Sequence, residues 1–213
     1  MTKKNKIVTA ASFFLVVVIL HLYGVVFNDK LAFVSKPLLM TLLVVYYLVS
    51  VKKVNFWIVS ALFFSFWGDV LLLFKEEFFA FGLASFLIAH ILYIKITSVY
   101  IKKISLQKVL LICLPFVAFL FSFLYFINDN LAEMKIPVIF YGVVISSFGA
   151  VALLNYVQEK STANLWLFLG AIIFIISDSL IAINRFYEPR EMYQICIMIT
   201  YIIAQYLICK AVI

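Results

Sequence analysis

Long apolar runs follow one another along the chain, broken only by short polar stretches. A helix needs about 20 apolar residues to cross roughly 30 Å of hydrocarbon. Runs of that length occupy residues 7–27, 33–50, 54–74, 78–98, 106–127, 135–156, 165–185 and 192–212. The pattern predicts an all-α fold, a polytopic membrane bundle of eight transmembrane helices. Eight such spans use about 160 residues, which leaves only tails and short loops of a 213-residue chain. A single integral-membrane domain over 1–213 is therefore expected, with any chemistry inside the bundle or at its mouth. The first run follows Lys3, Lys4 and Lys6, as a secretory signal would. It is longer than a signal's apolar region and no A-x-A site follows it, so it is expected to be a genuine span.

Composition narrows the class further. Hydrophobic residues make up 67% of the chain and charged residues 13%, against about 45–50% and about 25% in globular proteins. That much apolar surface excludes disorder, and 6 Gly with 4 Pro exclude a collagen-like chain. The 3 cysteines, Cys113, Cys196 and Cys209, stand alone in apolar runs and make no disulfide framework. The net charge of +7 does not point to nucleic acid, because most lysines cluster between apolar runs. They orient helices instead. Lys52, Lys53, Lys102, Lys103, Lys108, Lys160 and Lys210 fall on the side of the N-terminal lysines. The smaller set, Lys30, Lys36, Lys75, Lys135, Arg185 and Arg190, falls opposite. The richer side is expected to be cytoplasmic, with both termini there.

Three alignments link the first four runs to the last four in the same order. Pro37-Leu38-Leu39 matches Pro137-Val138-Ile139, and Gly68-Asp69-Val70-Leu71 matches Ser177-Asp178-Ser179-Leu180. Leu87-Ile88-Ala89-His90 matches Ile202-Ile203-Ala204-Gln205. Each match is weak alone, but the shared order fits a 4+4 tandem repeat with halves 1–104 and 105–213. In such a repeat the two aspartates would face each other at similar depth.

Asp69 and Asp178 are the only carboxylates inside the expected spans. A charged residue at mid-membrane costs about 2.5–3.5 kcal/mol even on a permissive scale, so such residues usually face a cavity and serve function. The plainer alternative is a carboxyl that only bonds neighbouring helices. Asp69 lies about 7–8 Å from the outer end of its run and Asp178 about 10 Å from the outer end of its own. Ser65 and Gly68 accompany the first, and Gly170, Ala171 and Ser177 the second. Such small residues let helices approach and supply hydroxyl partners. Two carboxyls facing one apolar cavity cannot both carry charge cheaply, so one is expected to hold a proton and the other to direct water. That is general acid–base equipment.

Other polar groups join as candidates for a role at the site. His90 lies mid-span with Phe86, Tyr93 and Thr97 on its face, and reads either as an interhelical bond or as a cavity residue. Lys36, before Pro37 at the outer mouth, is either a snorkelling anchor or the holder of a lipid phosphate. Asn184 and Arg185 end the seventh run at the same mouth, and Tyr141, Tyr201 and Gln205 are second-line candidates. His21 carries no pattern that sets it apart. No G-x-S-x-G, H-E-x-x-H, P-loop or C-x-x-C is present in the sequence. Two histidines without paired cysteines give a metal site little support.

The stretch Phe64-Ser65-Phe66-Trp67-Gly68-Asp69-Val70-Leu71-Leu72, followed by Phe86-Leu87-Ile88-Ala89-His90-Ile91-Leu92-Tyr93, resembles the signature of the YhhN/TMEM86 family of integral membrane proteins. So do residues 170–179, Asn184-Arg185-Phe186 and the Lys36-Pro37 opening, together spanning about Lys36 to Gln205. The family's characterised members are lysoplasmalogenases, which hydrolyse the vinyl ether of a lysoplasmalogen to a fatty aldehyde and a glycerophospho-ethanolamine or -choline. The resemblance implies that Asp69 and Asp178 are the catalytic pair, and a multi-pass protein of a bacterial cytoplasmic membrane is expected. The chemistry fits the residues. A vinyl ether resists base but hydrolyses when acid protonates its β-carbon, which suits a buried neutral carboxylic acid. A nearby carboxylate would stabilise the oxocarbenium ion. No metal or cofactor is needed, and no obligatory protein partner is evident; the expected partners are the lysophospholipid and membrane lipids. Asp69, Asp178 and His90 are thus the expected catalytic set. Lys36, Ser65, Tyr93, Tyr141, Ser177, Asn184, Arg185 and Gln205 are the expected substrate-binding set. The rival reading is a proton-coupled transporter or channel, since Asp and His in spans also form relays.

Overall fold

The computed structural model describes residues 2–213. Every regular element among them is helical: α1 (Lys3–Phe27), α2 (Asp29–Ser50), α3 (Phe56–Leu71), α4 (Lys75–Ser98), α5 (Leu106–Ile127), α6 (Lys135–Gln158), α7 (Thr162–Ala182) and α8 (Glu191–Ala211). Around a buried apolar core, many large apolar side chains face outward, and several polar ones are buried. Phe13, Ile19, Phe27, Leu110, Leu114, Phe121 and Ile136 are exposed, whereas His21, Ser35, Ser65, Asp69, His90, Asn155 and Gln205 are buried. An apolar exterior with polar groups enclosed is what a hydrocarbon solvent selects, because the chain itself must satisfy its polar groups there. Seven helical segments among the described residues are long and apolar enough to span a membrane. The protein is an integral membrane protein of helical type.

Seven segments arise, rather than the eight expected, because the third and fourth runs lie in one helical stretch, Phe56–Ser98. That stretch is not straight. A 3-10 turn at Leu72–Phe74 joins α3 to α4, and Phe78 departs from helical geometry at φ −115° and ψ 16°. Phe64 and Ser85 would stand about 32 Å apart along a continuous helix, yet the Ser85 hydroxyl donates to the Phe64 carbonyl at 2.6 Å. The chain therefore doubles back. Small residues make the reversal tight: a Cβ on Gly68 would stand 2.6 Å from the Phe86 ring, and one on Gly82 would meet Leu72. Small faces of this kind let membrane helices pack closely.

The chain divides into two compact units, one reaching Leu92 and including Val212 and Ile213, the other Tyr93–Ala211. In the first, Asn28 alone connects α1 to α2. Its extended backbone ends one helix, with its N–H on Gly24 O at 2.8 Å, while its side chain caps the next by accepting from Leu31 N at 3.1 Å. An Asn side chain is suited to that double duty, since it can replace a missing backbone partner. Just beyond, α1 and α2 touch backbone to backbone: a Cβ on Gly24 would stand 2.6 Å from Ala32 N.

In the second unit, Asn155 on α6 donates to Thr97 O at 3.0 Å. Gln158 and Lys102 exchange two bonds of 2.9 Å, side chain to main chain. Helix α7 packs on α8 where Gly170 meets Ile208 and Ala204, and Gly149 on α6 lies against Phe116 and Ile175. After α7 the helix widens into a π-helical turn, Ile183–Tyr187, closed by Glu188 N on Ile183 O at 3.0 Å. Between α5 and α6, Ala132 has φ 44°, the left-handed region that favours glycine.

These contacts separate three glycine effects. Gly24→Ala is expected to lower the detergent melting temperature, by about 1–3 kcal/mol of stability, because its new methyl meets rigid backbone. Gly142→Ala meets only the terminal methyl of Leu120, so the helix-propensity gain of about 1 kcal/mol should leave it neutral or stabilised. Ala132→Gly should stabilise by about 1 kcal/mol. Melting curves of the three variants against wild type check the signs.

Candidate functional site

Asp69 belongs to the first unit and Asp178 to the second, each with its own neighbours. Asp69 is carried on α3 beside Gly68 and is 2% exposed. The missing side chain at Gly68 is what lets the Phe86 ring of α4 lie over this turn. Ser65, one turn earlier, is fully buried, but its hydroxyl donates back to Ala61 O at 3.0 Å. Lys36, from α2, is a cation whose charge Asp69 feels. Lys36 is half-buried and lies within electrostatic reach of Asp69, Lys75 and His21. His90, fully buried on α4, bonds the Phe86 carbonyl. That bond holds the ring on its own helix, one turn from where Phe86 covers Gly68.

Asp178 has a different neighbour. The Tyr141 hydroxyl on α6 donates to its Oδ2 in a short hydrogen bond. A phenol donating to one carboxyl oxygen orients the group. The flanking hydroxyls point elsewhere: Ser177 donates to Ile197 O on α8 at 3.1 Å, and Ser179 to Ile175 O at 2.7 Å. Ser177 is thereby a bond between α7 and α8. Asn184 accepts from Arg190 N at 2.9 Å and so closes the loop after the π turn, where Arg185 is exposed. Tyr93 and Gln205, both buried, bond each other, hydroxyl to Oε1 at 2.8 Å. The Tyr93 ring stacks on Phe148 at 5.6 Å, and Tyr201 meets Phe174 edge-on at the same separation. Among the described residues no group of three His, Cys, Asp or Glu side chains is placed to hold a metal ion.

The first unit therefore gathers Lys36 and Asp69 with His90 on the adjoining hairpin arm, and the second gathers Tyr141 and Asp178. One polar group in the first unit carries no sequence signal. His21 on α1 is 1% exposed, and its Nδ1 lies 2.9 Å from Ser35 Oγ on α2. The partner sits across a helix reversal, so neither helix alone reveals the pair. The nearest sequence sign was a serine adjoining the Lys36-Pro37 opening.

Compared with curated proteins and with solved structures, the chain finds no match. Compared with protein families, it matches the YhhN family over residues 31–212. The match takes in both aspartates, Lys36, His90 and Tyr141, and leaves out His21. Covering most of the chain, it makes this protein a member of the YhhN family.

Proposed function

We propose that the protein is a membrane ether hydrolase of the lysoplasmalogenase type, acting on a lysophospholipid with a vinyl ether bond. The observation that carries the proposal is the unlike setting of two intramembrane carboxyls, Asp69 near an ammonium and Asp178 under a phenol. Division of labour between two acids follows from different surroundings. Asp178, oriented through Oδ2 by Tyr141, delivers a proton from its other oxygen to the β-carbon of the vinyl ether. The C=C π electrons form the new C–H bond, and the α-carbon becomes an oxocarbenium ion. Asp69 is given the second role: as a carboxylate it stabilises that cation and takes a proton from the water that adds to it. The hemiacetal then breaks its C–O bond to the glycerol, giving aldehyde and alcohol. Asp69 then gives up its proton to solvent water and Asp178 takes one from it, which completes the cycle. Atoms balance as one vinyl ether plus one water. His90, on the hairpin that carries Asp69, is a further catalytic group, and Lys36 doubles as the cation for the lipid phosphate.

The topology proposed with this function counts the α3–α4 hairpin as two crossings. Eight crossings, arranged as two four-helix halves, put both termini on the cytoplasmic face of a bacterial plasma membrane. Reporter fusions at the two ends check it: both should report the cytoplasm, and opposite sides would mean seven crossings.

Purified protein given a lysoplasmalogen should release fatty aldehyde. Asp69→Asn and Asp178→Asn should each lower the rate by about 100-fold or more, with melting temperatures near wild type. Tyr141→Phe, which removes only the donor to Asp178, should lower kcat by about tenfold with KM little changed. Lys36→Met should raise KM as well as lower kcat. Full activity in either Asn variant would sink the mechanism. Asp69-dependent proton-coupled flux in proteoliposomes, without ether turnover, would favour a transporter.

A further inference from the structure

The hydrogen bonds around His21 settle which of its nitrogens carries the proton. Ser35 has one hydroxyl proton, and its Oγ lies 2.6 Å from Leu31 O and 3.3 Å from Ala32 O. A serine so placed on a helix donates to the preceding turn. The 2.9 Å bond between Ser35 Oγ and His21 Nδ1 must then be donated by the ring. In the neutral imidazole the other nitrogen is an acceptor. That Nε2 is buried and has no protein partner. Buried polar groups in native proteins are satisfied by protein, water or ligand, and here the protein supplies no donor.

The ring cannot turn away to find one. His21 precedes Gly24 by three residues and Ser35 follows Ala32 by three, so the ring sits one turn from the backbone contact between α1 and α2. That contact and the Ser35 bond clamp it. The charge it feels is Lys36, which also feels Asp69. A cation beside a neutral acceptor is complementary to a phosphate ester with a free hydroxyl on a neighbouring carbon. Resting on the lipid reading above, we infer that His21 is a specificity-determining residue: its Nε2 accepts a hydrogen bond from the free glycerol hydroxyl of a lysophospholipid. Lipids acylated at that oxygen bring no donor. A site built to bond a hydroxyl discriminates strongly against analogues without one, because its own polar group is left unpaired.

The test measures binding, not turnover. The purified full chain in nanodiscs is titrated with a saturated 1-O-alkyl lysophosphoethanolamine, which has no vinyl ether to cleave. Its 2-deoxy and 2-O-methyl counterparts are titrated alongside. Wild type should bind the hydroxyl form about tenfold or more tightly than either counterpart. The methyl ether keeps the oxygen but loses the donor, so it should behave like the deoxy lipid. His21→Asn keeps an N–H for Ser35 and, being shorter, leaves no acceptor where Nε2 stands; it should melt near wild type and bind all three lipids alike. Equal affinities in wild type overturn the inference, as a resident water would then satisfy Nε2. Binding of none of the three overturns it as well, and so does a preference that survives in His21→Asn. Vinyl ether turnover is scored separately. A hydroxyl preference without turnover sinks the hydrolase and spares His21, whereas turnover without the preference does the reverse.

Discussion

A carboxyl surrounded by hydrocarbon must be given its partner by the protein, and that constraint shapes everything else here. Asp69 has Lys36 within electrostatic reach, and Asp178 has the Tyr141 hydroxyl. Holding such partners in place requires helices that approach closely and do not slide. The close contacts Gly24–Ala32, Gly68–Phe86 and Gly170–Ala204 supply the approach. Side-chain bonds to main-chain carbonyls across helices, Ser85 to Phe64 and Ser177 to Ile197, limit the sliding. Glycine and serine thus set the geometry around the acids, the phenol and the ammonium.

Most of the architecture was legible because the apolar run is the physical requirement of a span. Where boundaries differ, short polar stretches are the reason. Asp29 and Lys30 read as loop, yet they form the first turn of α2, because Asn28 ends one helix and starts the next without an intervening loop. Lys75, Glu76 and Glu77 also read as loop and instead open α4, continuous with the 3-10 turn before it. Hydropathy marks where a chain can be immersed; it does not mark where a polar helix end continues past the interface.

The candidate site was legible in its residues and not in their pairings. Asp69, Asp178, Lys36 and Tyr141 stand out in sequence as polar groups in apolar runs. That Tyr141 serves Asp178 depends on the packing of α6 against α7, which no spacing encodes. Likewise Ser65, Ser177 and Asn184 looked like site groups, and the structure shows each making a bond to main chain. His21 was passed over because a lone histidine on an apolar helix has no local mark. Its importance lies in Ser35, on the next helix, and in the nitrogen that Ser35 does not reach.

Acid attack on carbon is the central claim, and isotopic labelling tests it most directly. Lysoplasmalogen is incubated with the protein in D2O, the aldehyde is trapped at once by reduction, and its deuterium content is read by mass spectrometry. Proton delivery to the β-carbon predicts a single deuterium on the carbon adjoining the former aldehyde. Aldehyde that carries no deuterium there, or no aldehyde at all, would contradict the account.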